Sequence, residues 1–359
     1  MLLVFCAFLV LLVIGMPVAF AIGISGTLFF LQNLNLPFTI PIQLAVSQTQ
    51  NFALLAVPLF IFAGNLLNGS GITCRLLDLA NVLVGHMRGS LAQVNVILST
   101  LIGGVSGSCI ADAAMESRML GPEMIKRGYS KGYTCSVNVW TSLITPIIPP
   151  GIGFILYGTL GQVSIGRLFA GGLMPGLVLT ALYMGAVSID ARRKGFEPGR
   201  KGLPTLPEVG KAMGHSIWAL LFPFALLFGL RMGVFTPSEI GAFAVVYAVL
   251  VGWIAHRELT WCEFKEVMRT TTFDVGAVMI IIALSAIFGY GIVWERIPEV
   301  TANFLLGVSG SNPYILIAII MVFLLLAGMV IDGAVLILML TPIFLPIATE
   351  AGFDPVHFG

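Results

Sequence analysis

Hydrophobic residues run through this chain in blocks of two lengths. Long blocks at 2–31, 44–67, 133–163, 168–189, 215–231, 239–255 and 273–294 approach or exceed the roughly 20 residues that a helix needs to cross a ~30 Å hydrocarbon core. Two short blocks, 91–102 and 109–121, hold about a dozen residues each and reach only partway. Between them lie Gly103, Gly104, Val105, Ser106, Gly107 and Ser108, a small, polar, helix-breaking tip. The pair predicts a re-entrant hairpin over 91–121 with its tip at membrane depth. Unwound backbone is tolerated there only when it is buried in protein or lines a wet cavity. Two further arms, 313–327 and 334–349, flank a tip from Gly328 through Asp332 to Gly333 and predict a second hairpin over 313–349.

The other blocks fill in the order. Residues 2–31 are too long for a signal-peptide core and lack a small-residue cleavage site, so they are expected to form one retained span, loosened at Gly15 and Pro17. Residues 72–86 and 297–308 mix apolar and charged positions at helical period, as surface helices do. The block 133–163 is long enough to cross, but Pro146, Pro149 and Pro150 interrupt its middle beside Thr145 and Gly151. Prolines donate no backbone hydrogen bond and clash with the preceding turn, so a broken helix is expected. The second half therefore replays the first: span, surface helix, two arms around a glycine-rich tip. Internal repeats of this kind mark secondary transporters. The expected division is a first repeat at 1–189, a polar basic loop at 190–213 and a second repeat at 214–359.

Composition narrows the class. The chain of 359 residues is 58% hydrophobic and only 10% charged, which predicts an all-α polytopic protein whose solvent is the lipid bilayer. No nucleic-acid partner is expected. The five cysteines show no metal-ligand spacing and are odd in number, so no disulfide framework is predicted. The position of the charges tells more than their sum. If both hairpins return to the side they came from, residues 68–90, 122–132, 190–213 and 256–271 share one face. That face then holds 14 of the 18 lysines and arginines, and the positive-inside rule makes it cytoplasmic. The first hairpin would enter from the cytoplasm and the second from outside, so the two repeats would be inverted.

Candidate chemistry gathers at the tips and the proline break. Helix N-termini suit a carboxylate, whereas C-terminal carbonyls and hydroxyls suit a hard cation such as Na⁺. Ser106, Ser108 and Thr145 supply hydroxyls, while Gly104, Gly107, Gly151, Gly328 and Gly333 let backbones approach closely. The alternative for the serines is the small-residue packing common between membrane helices. Asp112 and Asp332 are acids in or beside apolar arms, where ionised groups are costly and usually functional. A structural pair with Arg118 or a backbone group is the competing reading of Asp112. Asn138 and Thr141 lead into the break as lining or packing residues, and Pro149 and Pro150 shape it. Gly104, Val105, Ser106 and Gly107 also fit the G-x-S-G pattern of rhomboid intramembrane proteases. A serine nucleophile needs a base within reach, however, and His86, His215, His256 and His357 all lie in loops or at span ends. No nucleotide-binding motif appears, which points to an ion gradient as the driving force.

These residues resemble a known family. Pro58-Leu59-Phe60-Ile61-Phe62-Ala63-Gly64, Ser106-Gly107-Ser108 with Ala111-Asp112, Pro146-Ile147-Ile148-Pro149-Pro150, Leu168-Phe169-Ala170-Gly171-Gly172 and Phe235-Thr236-Pro237-Ser238-Glu239 follow, in order, the large membrane subunit of tripartite ATP-independent periplasmic (TRAP) transporters. The resemblance implies a Na⁺ symporter of a bacterial or archaeal inner membrane, with the elevator architecture of the ion-transporter superfamily. It implies an organic-anion substrate such as a C4-dicarboxylate, sialic acid or another sugar acid. It also implies a small four-helix membrane subunit and a soluble periplasmic substrate-binding protein as partners, and no cofactor beyond the coupling ion. By analogy, Ser106, Ser108 and Thr145 build one Na⁺ site, Gly328 and Asp332 contribute to a second, and substrate lies between the tips. A Na⁺/carboxylate symporter without a binding protein is the runner-up. In the family a second proline-broken helix follows the second hairpin, so roughly 60 further residues are expected beyond Gly359 and the chain is expected to be incomplete without them.

Overall fold

The computed structural model describes residues 1–359 except Lys201, Gly310 and Ser311. Among the described residues every regular element is helical. Six helices are long and apolar enough to cross a membrane: Phe52–Gly69, Ile165–Lys194, Leu206–Leu230, Pro237–Ala255, Trp261–Trp294 and Gly333–Glu350. Four more are apolar but shorter, Leu2–Val13, Val18–Gln32, Ser90–Gly103 and Pro313–Gly328. The chain forms two compact units that interleave in sequence.

The first unit comprises Met1–Leu55, Gly153–Ile165 and Thr272–Gly359. Its core gathers Phe8, Ile22, Phe29, Phe30, Phe288, Ile292, Leu316, Ile320, Val335 and Phe344. Gly26 permits close packing, since a Cβ there would stand 3.0 Å from the backbone nitrogen of Phe288. The N-terminal amine reaches Glu295 at 2.9 Å. The hairpin arms are Pro313–Gly328 and Gly333–Glu350, started by the side chains of Asn312 and Asp332, which accept from Tyr314 N and Ala334 N. Tyr157 donates to Pro355 O at 2.7 Å.

Two expectations for this region need correction. Residues 2–31 are two helices that pack on each other, Leu2–Val13 and Val18–Gln32, rather than one loosened span. Gly15 takes φ +88°, Gly15 N donates to Leu12 O and Met16 N to Leu11 O. This is the Schellman stop, after which Pro17 bars any continuation. The 44–67 block is likewise divided. Ile40–Thr49 ends at the polar pair Gln50 and Asn51, and the crossing helix begins at Phe52 with Asn51 Oδ1 accepting from Ala53 N.

The second unit comprises Ala56–Ile152 and Gly166–Thr271. Ala56–Gly69 and Pro237–Leu250 pack closely because Gly241 has no side chain: a Cβ there would stand 3.0 Å from Leu59 Cβ. The surface helix is Ile72–Val84, and its buried face (Ile72, Leu76, Leu79, Ala80) covers Ser90–Gly103 and Leu206–Arg231. The first hairpin has arms Ser90–Gly103 and Cys109–Met119, and the first part of the broken helix runs as Lys131–Thr141 and a tight turn at Ser142–Ile144; its later part, Ile152–Leu160, falls from Gly153 onward in the first unit. The Pro149–Pro150 peptide is cis.

The stretch 190–213 lies inside this unit, and it is not a free solvated loop. Helix Ile165–Lys194 extends into it and Leu206–Arg231 begins within it, behind a capping box of Thr205 and Glu208. Phe196 stacks on Tyr129 at 4.1 Å, Lys194 sits 4.0 Å over Tyr133, and Arg88 pairs in an isolated bridge with Pro198. A clasp joins the other two basic segments. Arg75 Nη2 donates to Glu258 at 2.6 Å, Arg75 Nη1 to Gly71 O at 3.0 Å, and the His256 ring lies 3.0 Å from Ser70 O. The Arg75 guanidinium holds the Glu258 carboxyl below the usual glutamate range. A depressed carboxylate contributes stability above its unfolded range and loses it as the pH falls. Glu258 is half exposed, so the contribution is at most about 1 kcal/mol. Glu258→Gln is therefore expected to lower stability slightly at neutral pH and to flatten the loss on acidification below about pH 4.3. Thermal unfolding in detergent across pH checks this, and an unchanged acid limb would remove the clasp from the account.

Candidate functional site

The first tip is enclosed by backbone that only glycines allow so near. A Cβ added at Gly64 would stand 3.3 Å from Ser106 Cα, one at Gly103 3.1 Å from Thr145 Cα, and one at Gly107 2.6 Å from Pro150 O. Gly104 lies against the ring of Pro223 in the same way, at 3.0 Å. Hairpin tip and proline break are thus in direct contact, as the sequence pattern anticipates. Gly107 adopts φ +62°, which turns the chain from one arm into the other. Pro149, Pro150 and Gly151 are all buried.

Inside this enclosure sits a polar cluster. Asp112 is 1% exposed, and the Ser106 hydroxyl donates to both of its oxygens, at 2.8 and 2.9 Å. Thr145 is fully buried beside Asp112, and its hydroxyl lies 3.5 Å from Ser99 O. Ser108 caps helix Cys109–Met119 by accepting from Ala111 N, and its own N–H points at Ser106 Oγ at 3.4 Å. Ser106, Ser108, Asp112 and Thr145 therefore lie together where tip and break meet. Arg118 is exposed and makes no ion pair with Asp112 among the described residues, so the structural pairing is excluded.

One helical turn beyond Asp112 the cluster continues through residues that sequence reasoning did not single out. Glu116 is fully buried and accepts from Ser99 Oγ at 2.5 Å and Thr141 Oγ1 at 3.4 Å. The Asn95 amide lies between Glu116, 2.9 and 3.2 Å from its two oxygens, and the Asn138 amide at 2.5 Å; Asn138 also bonds Ser117 at 3.0 Å. Asn138 and Thr141 thus belong to the buried network. The signal for Glu116 was its spacing, since i and i+4 on one helix put both acids on one face. Among the described residues no lysine, arginine or histidine forms an ion pair with either carboxylate. Two buried acids facing only neutral donors are electrostatically expensive, and carboxylate and hydroxyl oxygens are the donor set of a small hard cation.

Gly328, Asp332 and Gly333 belong to the first unit and are exposed there, with Asp332 Oδ1 capping its helix through Ala334 N at 2.9 Å. The Ser106 hydroxyl is engaged by Asp112 and not by a histidine, unlike a protease nucleophile.

Residues 5–359 match the family model described as the tripartite ATP-independent periplasmic transporter, DctM component. The chain is 34% identical over 348 residues to the 2,3-diketo-L-gulonate TRAP transporter large permease protein YiaN of Escherichia coli, covering 96% of this chain and 81% of that protein. It is 32% identical over 354 residues to the sialic acid TRAP transporter large permease protein SiaM of Vibrio cholerae, with 97% and 81% covered. It is 33% identical over 352 residues to the isethionate TRAP transporter permease protein DctMQ of Oleidesulfovibrio alaskensis, with 98% of this chain and 55% of that protein covered. The chain belongs to the DctM family of TRAP transporters, whose members are multi-pass membrane permease subunits and not enzymes.

Proposed function

We propose that this permease carries an organic anion across the inner membrane together with Na⁺, by an elevator motion, from a periplasmic binding protein and in company with a small membrane subunit. The observation that carries the sodium reading is the Ser106–Asp112–Thr145 cluster: a buried carboxylate and two hydroxyls at an unwound tip, with no protein cation bonded to the acid among the described residues. A Na⁺ ion there would neutralise the carboxylate, and its binding would be felt by the tip and the break together. The second tip, Gly328–Asp332–Gly333, is the matching proposal for a second ion. The anion class rests on the named substrates of the relatives, diketogulonate, sialic acid and isethionate, all organic acids. The small-subunit partner rests on family membership and on the longer DctMQ relative, of which this chain covers just over half.

Inverted repeats are supported by matching elements. Each half has a 13-residue surface helix, Ile72–Val84 and Ile297–Ser309, followed directly by two arms around a tip. The basic segments 68–90, 122–132, 190–213 and 256–271 also touch one another through Arg88–Pro198, Tyr129–Phe196 and Arg75–Glu258, which favours a single cytoplasmic face. Splitting the 2–31 block leaves that count unchanged, because every charged segment in it follows residue 67. The test is uptake of labelled C4-dicarboxylate, sialic acid and a sugar acid into proteoliposomes holding the whole transporter and its binding protein. Uptake is expected with an inward Na⁺ gradient and not with K⁺. Equal rates in both salts would end the sodium reading, and uptake that persists without the binding protein would favour the simpler carboxylate symporter.

A further inference from the structure

We infer that Glu116 is the positioning residue of the tip site, holding Thr145 in place against Asp112 by way of Ser99 and Thr141. The inference rests on the cation reading above and extends it to a residue outside the tip. Ser99 is shared between the two layers of the cluster. Its hydroxyl donates to Glu116 at 2.5 Å, while its carbonyl oxygen lies 3.5 Å from Thr145 Oγ1. Thr141 is the second grip. It stands one turn before Thr145 on the same broken helix, and its hydroxyl faces both Glu116 at 3.4 Å and Val137 O at 2.7 Å. Glu116 therefore contacts the segment bearing Thr145 through both groups, and the Asn95 amide lies 2.9 and 3.2 Å from its two oxygens.

The choice of an acid here is itself informative. A residue needed only to fill this space would be apolar, because a fully buried carboxylate among neutral donors is costly. A carboxyl group, however, can gather the Ser99 and Thr141 hydroxyls at one point, which an apolar side chain cannot do. Precise placement is what a cation site demands of its supporting groups. Among the described residues no hydrogen bond joins Glu116 to Ser106 or Ser108, so its hydrogen-bonded route to the tip runs through Ser99 and Thr141.

The experiment uses the whole transporter and reads initial uptake against Na⁺ concentration for the wild type, Glu116→Ala, Glu116→Gln, Ser99→Ala and Asp112→Asn. A Na⁺-induced thermal shift of each purified permease gives the ion affinity independently of transport. Glu116→Ala is expected to raise the Na⁺ half-saturation about tenfold or more while the rate at saturating Na⁺ stays within about twofold of wild type. Glu116→Gln keeps an acceptor oxygen for one of the two hydroxyls, that of Ser99, and is expected to recover part of that affinity. Ser99→Ala, which removes only one grip, carries the same test should Glu116→Ala fail to fold. A Na⁺ half-saturation unchanged in both Glu116→Ala and Ser99→Ala would overturn the inference, leaving Glu116 a packing residue. Glu116→Gln as insensitive to Na⁺ as Asp112→Asn would overturn it the other way, making Glu116 a direct ligand. Failure of the underlying cation site is visible separately, as a wild type or an Asp112→Asn variant that shows no difference between Na⁺ and K⁺.

Discussion

Asp112→Asn is expected to leave a folded permease that no longer responds to sodium. The substitution preserves shape and still lets Ser106 donate to an oxygen at the same place, so the tip keeps its local bond. What it removes is the charge. An opposite charge about 4 Å away is worth on the order of 4 kcal/mol at the effective dielectric of a protein, a factor of several hundred in affinity. Na⁺ affinity should therefore fall by two orders of magnitude or more, and coupled uptake with it. The apo protein should respond in the opposite sense. Asp112 is 1% exposed with no cationic partner among the described residues, and relieving a buried uncompensated charge stabilises. Asp112→Asn should thus unfold at a higher temperature than wild type in K⁺ and gain nothing from Na⁺. The reading fails if the variant transports with an unaltered Na⁺ half-saturation.

Gly107→Ala is expected to be the most damaging single methyl group in the first hairpin. Its backbone sits at φ +62°, a conformation that costs a residue with a side chain about 1–2 kcal/mol. The added carbon would also stand 2.6 Å from Pro150 O and 3.4 Å from Gly151 Cα. Neither neighbour is a flexible side-chain end that can swing aside, and forcing a methyl into packed backbone adds about 1–3 kcal/mol. The expected loss is about 2–5 kcal/mol together with transport, because tip and break must separate to make room. Gly128→Ala is the control. Gly128 has φ +87° but nothing within 4 Å of the added carbon, so it carries the backbone cost without the collision. The difference between the two variants in thermal unfolding isolates the contact between tip and break. Equal losses would mean that the tip does not rest on Pro150.

The hairpins and the proline break were legible because they rest on two local signals, the length of apolar blocks and the positions of glycine and proline. The predicted arms 91–102 and 109–121 appear as Ser90–Gly103 and Cys109–Met119, and the break falls where Pro146, Pro149 and Pro150 require it. Ser106, Ser108 and Thr145 could be nominated together because tip and break were each recognisable, and Asp112 was noted beside them as an acid in an apolar arm. What stayed hidden depended on partners distant in sequence. Gly15 and Pro17 were visible, but apolar length outweighed a turn whose defining bonds run from Met16 N to Leu11 O and from Gly15 N to Leu12 O. The basic stretch 190–213 has the composition of a solvated loop, and only the fold shows Phe196 stacked on Tyr129 and Lys194 over Tyr133. Glu116 was not singled out, because nothing adjacent to it in the sequence marks it as part of a site. Its true partners, Ser99, Asn95 and Thr141, lie on other helices.

The interleaving of the two units carries a consequence for how the protein is made. The first unit draws on Met1–Leu55, but the residues that pack against this segment begin at Thr272: Phe288 on Phe5 and Phe8, Tyr290 on Phe29 and Phe30, Glu295 on the terminal amine. A ribosome working at 5–20 residues per second needs roughly 10 to 40 s to translate the residues in between. Through that interval Phe29 and Phe30 have each other but not Tyr290, and must be sheltered by lipid or by the insertion machinery. The second unit, whose segments are nearly continuous, can close its clasp once residue 258 has emerged. Helices Leu2–Val13 and Val18–Gln32 can pack on each other at once, but they meet their partners beyond Thr272 only after the second unit has been made.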